Sequence, residues 1–153
     1  MNLAGGSSPE VAPGEAKVAG LYIICGIEKD RALKAGFDDA LMLDTRGFVA
    51  ETNATHVFIV WKSTVITSRL VACPEGITRA TVLQLCKANV IPTSEQDLSL
   101  AEVYRADEMF CSGTMGELAP VTKVDGRVIG SGQSGPITRR LSELFAERTA
   151  TEG

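Results

Sequence analysis

The sequence has one histidine and no CxxC pair among its four cysteines, Cys25, Cys73, Cys86 and Cys111. With His56 as the single imidazole, a zinc centre of the usual Cys/His type lacks ligands. Thiols scattered this widely read as free cysteines of a reducing compartment rather than as a disulfide framework. No apolar run approaches the roughly 20 residues that span a bilayer. The opening stretch "NLAGGSSPEVAPGE" has neither a cationic segment nor an apolar one, so it does not read as a secretory signal. An excess of positive charge is also missing. Fifteen Lys and Arg stand against 19 Asp and Glu, the net charge is −4 and the pI is near 5.0. That excludes the basic footprint of a nucleic-acid binder. A cytoplasmic chain without metal, membrane or nucleic acid is what these absences leave. In such a chain the sequon at Asn53-Ala54-Thr55 is a chance match.

What is present is a core. Apolar residues make up 44% of 153, enough for one folded domain and too many for a disordered chain. Residues 1–13 are rich in Gly, Ser and Pro and read as a flexible lead-in to a domain over residues 14–153. The pattern predicts a helix over about Gly20–Ala35, with Gly36 at its C-terminal end. "DALMLD", "FVAE", "HVFIVW" and "TVIT" predict four strands. Val82, Leu85, Cys86 and Val90 then repeat at helical spacing, with Gly76 before the helix and Thr78 as its N-cap. A short helix over Leu98–Ala106, a strand over Glu108–Thr114, a hairpin at Asp125-Gly126 and a closing amphipathic helix from Gly135 complete the chain. Strands and helices mixed in this way predict a layered α/β or α+β domain.

Several residues are candidates for chemistry. Lys17 precedes the apolar run Leu21–Cys25. Taken alone, it reads as a surface lysine whose stem covers apolar surface, or as one held for amine chemistry. "EGITR" places a glycine before a helix start, where unpaired N–H groups suit a phosphate; a plain capped helix has the same signature. "CSGTMGE" ends a strand in Ser112, Gly113 and Thr114, either a Gly-rich turn or a backbone nest beside a hydroxyl. Glu51 ends a strand before the polar stretch Thr52–Thr55 and reads as a solvated or a functional carboxylate. Tyr22 is either core with a satisfied hydroxyl or a donor to a ligand. His56 leads a β run and reads as structural. A lysine near an apolar wall, an acid, a tyrosine and two phosphate-type turns together match what pyridoxal phosphate requires.

The order of these motifs resembles the class IV aminotransferases, the fold-type IV enzymes dependent on pyridoxal 5′-phosphate. "AKVAGLYIICGIEKDRALKAGFDDALMLDTRGFVAE" resembles the family's lysine region, and "EGITR" its Gly-Ile-Thr-Arg phosphate segment. "CSGTMGELAPVTKVDGRVIGSG" resembles its Gly-Thr segment with the following hairpin, and "GPITRRLSELF" its closing helix. The branched-chain enzymes are the most similar members, through "KVAGLYIIC". The resemblance implies an α/β fold with a mixed sheet partly closed into a barrel and flanked by helices. It implies that Lys17 forms the Schiff base and is catalytic. It further implies that Tyr22 reaches the cofactor's phenolic oxygen and that Glu51 pairs with the pyridine nitrogen. Ile77, Thr78, Gly113 and Thr114 are implied to hold the phosphate, and Thr114 and Met115 to meet the substrate carboxylate. The implied reaction moves an amino group from an amino acid, of branched-chain type, to a 2-keto acid. The implied assembly is a homodimer or larger homo-oligomer. Two departures stand out. His56 stands where the family usually carries an asparagine, a few residues after Glu51, a change expected to disturb how that carboxylate is held. The family's smaller N-terminal domain is absent from this chain, so the expectation is a C-terminal, cofactor-binding domain. That absence leaves open a catalytically weak remnant, and the scaffold also serves lyases of the aminodeoxychorismate type.

Overall fold

The computed structural model describes residues 2–5, 19–71, 75–113 and 117–152. Helix α1, Ala19–Lys34, is uncharged as far as Ile27. Its second half carries the pairs Glu28–Arg31 and Asp30–Lys34 on exposed turns. It stops where expected. Gly36 takes φ +83°, Phe37 N–H donates to Ala32 O at 2.9 Å and Gly36 N–H to Leu33 O at 3.0 Å. This double closure needs a residue that tolerates the left-handed region.

Strands β2, Ala40–Leu43, and β3, Val49–Thr52, form an antiparallel pair. Strand β1, Asn2–Gly5, adds to β2 in parallel, with Asn2 opposite Ala40. Four residues of the expected flexible lead-in are therefore a strand. Sequence pattern missed it because a short Gly/Ala segment has no alternation of its own and is ordered by its neighbour's free edge.

The larger sheet holds β4, His56–Trp61; β5, Thr64–Ser68; β6, Thr93–Gln96; β7, Glu108–Gly113; and β8, Glu117–Pro120. Its order is β6-β5-β4-β7-β8, antiparallel except for the β5–β6 pair. One face packs Phe58, Val60, Val65, Phe110 and Leu118 against helix α2, Ile77–Ala88, and helix α4, Pro136–Glu152. Phe58 and Phe110 lie opposite each other and stack at 4.9 Å. The other face packs Val57, Ile59, Ile66, Met109 and Cys111 against Leu41 and Val49 of the smaller sheet, and against Val103 of helix α3, Leu100–Arg105. The hairpin of β9, Lys123–Val124, and β10, Arg127–Val128, closes this layer. Its turn has Asp125 at φ +51° and Gly126 at φ +78°, the two positive angles a tight hairpin needs.

The fold is thus mixed α/β with flanking helices, as expected, but the sheet is not closed into a barrel. β6 and β8 are the edges of the larger sheet among the described residues. The second apolar face is already covered by the smaller sheet, α3 and the hairpin, so its burial does not require the strands to close on themselves. Besides this packing, Ser68 Oγ donates to Val49 O at 2.5 Å, and Val49 forms an isolated bridge with Leu98, just beyond β6.

Candidate functional site

The site is built where β3 turns into β4. Thr52 and Thr55 close that turn: Thr52 N–H donates to Thr55 O at 2.8 Å, and the two hydroxyls are 2.7 Å apart. Glu51 lies one residue before the turn, opposite Met42 in the sheet. His56 lies one residue after it and opens β4. On one side Thr55 packs on Gly113, where a side-chain carbon would come within 2.7 Å of Thr55 Cγ2. On the other, the His56 ring packs on Gly76, where an added carbon would lie 2.6 Å from its Cδ2. One turn therefore gathers the Glu51 strand end, the end of β7 and the start of α2.

The start of α2 is open. Gly76 is its N-cap, with no side-chain cap, and the first helical bond runs from Ala80 N–H to Gly76 O. The N–H groups of Ile77 and Thr78 have no acceptor among the described residues. Thr78 is therefore not the N-cap expected from the sequence. It is the second residue of the helix and is buried, its hydroxyl without a partner among the described residues. Ile77 contributes its N–H while its side chain is exposed.

Two further groups have unused hydrogen-bonding capacity. Ser112 is fully buried on the same sheet face as His56, its register partner, and its Oγ has no partner. Arg79 is buried, with Nη2 donating to Ser68 O at 2.9 Å and to Glu95 Oε2 at 2.5 Å, but its Nε is unpaired. Buried polar groups are almost always satisfied, so unpaired ones beside an uncapped helix start point to a missing acceptor. An anion with several oxygens fits that set of donors.

Electrostatics separate the acid from the imidazole. Burial pushes the Glu51 carboxyl up to about 7, and no hydrogen bond reaches it from the described residues. Such a carboxylate lacks a cationic or N–H partner. Burial, then the Arg79 guanidinium, drives His56 down to about 4, so its imidazole is neutral. Burial also raises the Cys25 thiol on α1, and the nearby Glu51 charge adds to the rise. Cys25 thus marks where α1 passes the acid.

Of the expected site residues, Glu51, Ile77, Thr78 and Gly113 are brought to one locus by this turn. Tyr22 lies on the first turn of α1. Lys17, Thr114 and Met115 lie outside the described residues, although α1 begins two residues after Lys17 and β7 ends one before Thr114. From sequence alone Arg79 has no role of its own, and Ser112 enters only as part of a turn or nest. The adjacency of Arg79 to "GIT" was the available signal.

The model of the family "Amino-transferase class IV" matches residues 7–124. This chain is a class IV aminotransferase family member. A branched-chain-amino-acid aminotransferase-like protein 2 of Arabidopsis thaliana is 48% identical over 127 residues, 83% of this chain and 23% of that protein. A probable branched-chain-amino-acid aminotransferase of Aquifex aeolicus is 40% identical over 135 residues, 87% of this chain and 43% of that one. A crystal structure of a T.th. branched-chain amino acid aminotransferase complexed with N-(5′-phosphopyridoxyl)-L-glutamate superposes with TM-score 0.93 at 34% identity, covering 95% of this chain and 50% of the other. The Escherichia coli enzyme gives TM-score 0.91 at 32% identity, with 95% and 50% coverage. The chain therefore spans half or less of each of these four relatives.

Proposed function

We propose that this chain is the cofactor-binding part of a pyridoxal 5′-phosphate-dependent aminotransferase acting between a branched-chain amino acid and a 2-keto acid. The observation that carries the reading is the uncapped start of α2 with buried, unpaired Ser112 Oγ and Arg79 Nε beside it. It is the donor set of a phosphate in a chain whose family uses a phosphorylated cofactor. Ile77 and Thr78 N–H, the Thr78 hydroxyl and the Gly113–Thr114 turn hold that phosphate. Glu51, short of a partner and raised toward neutrality, would hold the pyridine ring's N–H, a pairing that favours its ionised form. Tyr22 orients the ring through its phenolic oxygen. Lys17 would be the amine that holds the cofactor, and its Nζ would hold and move a proton at the substrate Cα. The bound pyridine ring supplies an electron sink. Thr114 and Met115 meet the substrate carboxylate.

The substrates, the homo-oligomeric state and a cytoplasmic location are parts of the same proposal. Exposed Ile23, Ile24 and Ile27 on the uncharged half of α1 support self-association. The free thiols Cys25, Cys86 and Cys111 support a reducing location. No helix among the described residues is long and apolar enough to cross a membrane. A second reading is a chain that binds the cofactor but turns over weakly.

The test is a titration with pyridoxal 5′-phosphate, borohydride reduction and peptide mapping. The pyridoxyl group is expected on Lys17; an adduct on Lys29 or Lys34, or none, overturns the assignment. Bleaching of the visible band by a branched-chain amino acid, with release of its keto acid, separates the transaminase from the binding-only reading.

A further inference from the structure

An N-cap is ordinarily Ser, Thr, Asp or Asn, whose side chain accepts from the second or third N–H of the helix. Such a cap at position 76 would consume the N–H groups that an anion needs. The structure prevents this twice. Position 76 is glycine, and the space any side chain there would enter is filled by the His56 imidazole. The ring is buried, has no hydrogen bond from the described residues, and is neutral beside Arg79. It does not replace the missing cap by bonding to the helix. It is a spacer between β4 and the turn that leads into α2. Its register partner Ser112 leaves a second buried hydroxyl uncommitted at the same place.

We propose that His56 is a positioning residue for the anion site: it fixes the Gly76 turn so that the first N–H groups of α2 stay uncapped and aimed at a phosphate. The inference rests on the cofactor reading and adds a residue to it. His56 acts through Gly76 and need not touch the ligand. It supplies no proton, and its contribution is geometric. The phosphate-dependent part of affinity should therefore suffer when the ring is removed, while the part due to the pyridine ring should not.

Pyridoxamine 5′-phosphate and pyridoxamine serve as probes, because neither carries the aldehyde that Lys17 would capture. The ratio of their dissociation constants reports the phosphate alone. The native chain is expected to bind the phosphorylated probe far more tightly; equal binding overturns the cofactor reading itself. With that ratio established, His56→Ala should lower it about tenfold, the equivalent of one charge-assisted hydrogen bond lost to misalignment, with pyridoxamine affinity unchanged. An unaltered ratio, or an equal loss for both probes, overturns the positioning role. Gly76→Ala should lower both the melting temperature and the ratio through collision with the ring. The double variant His56→Ala/Gly76→Ala should regain the melting temperature but not the ratio. Recovery of both would show a steric pair with no bearing on the anion. His56→Gln, which keeps bulk and polarity, should keep most of the ratio. If neither His56→Ala nor His56→Gln folds, His56 is a core residue and the proposal falls.

Discussion

Glu51 and His56 flank one turn and titrate in opposite senses, which gives a test of the site that needs no cofactor. Folded Glu51 stands at about 7 against an ordinary 4.5. Between those values the folded chain holds a proton that the unfolded chain has released, so stability falls as pH rises. Folded His56 stands at about 4 against 6.5. Between those values the unfolded chain holds the extra proton, so stability rises with pH. Fully developed, each displacement is worth about 3 kcal/mol. The two windows nearly coincide, so in the native chain the two effects largely cancel. Each single variant should unmask the other group. In Glu51→Gln, the ligand-free unfolding free energy should climb, relative to the native chain, by about 3 kcal/mol from pH 4.5 to pH 7. In His56→Gln it should fall by a similar amount between pH 4 and pH 6.5. Urea unfolding followed by Trp61 fluorescence and far-UV circular dichroism measures both. Taking variant minus native at each pH removes the other carboxylates, which are common to both chains. A flat difference for Glu51→Gln over this range would mean that Glu51 is not held unpaired in a desolvated place, and the argument that it awaits a ring nitrogen would fail with it.

Three further outcomes are expected. Thr78→Ala and Thr114→Ala should each weaken cofactor affinity by about tenfold or more, since a hydrogen bond to a charged group contributes roughly 1.5–3 kcal/mol; unchanged affinity in both, by equilibrium dialysis, refutes the phosphate cradle. Glu108 is buried and accepts from Ile137 N–H at 3.1 Å, Thr138 N–H at 2.7 Å and the Thr138 hydroxyl at 2.7 Å, capping α4. Glu108→Ala should cost about 2–4 kcal/mol by leaving those donors unpaired, and an unshifted urea midpoint would contradict it. Light scattering should show a dimer or larger species that Ile24→Glu with Ile27→Glu converts to a monomer; a native chain already monomeric at high concentration refutes the α1 face as an interface.

How much of this was legible beforehand depended on whether a feature was written in side-chain pattern or in tertiary contact. The Gly36 stop of α1, the Asp125-Gly126 hairpin and the His56–Trp61 strand follow from local chemistry, and each is found where the residues place it. β6 and β8 were not expected: "TSEQ" is polar and "ELAP" short, and each becomes a strand only because a buried neighbour offers an edge. The capping box of Ser99 and Glu102 lies in the sequence as a spaced pair and gives α3 its start.

Thr78 shows the limit most clearly. Its residue type favours an N-cap, and "EGITR" offered no competing candidate with a side-chain acceptor. The competing principle is steric. With His56 packed against the turn, the cap position favours glycine, and the threonine sits two residues past it, its hydroxyl uncommitted among the described residues. Local propensity reads the helix start correctly and the cap wrongly; on the proposed reading the cap is left open for an anion. A residue that breaks a local rule without a structural gain is where a site is to be sought. Gly76 breaks the capping rule, and Ser112 and Arg79 break the rule of buried satisfaction, on the same side of the sheet. Glu51, partly buried on the adjoining strand, breaks the rule against unpaired desolvated carboxyls. On the proposed reading, an anion would account for the first three and a protonated ring nitrogen for the fourth. A phosphorylated pyridine brings both at once, so one ligand removes all four exceptions.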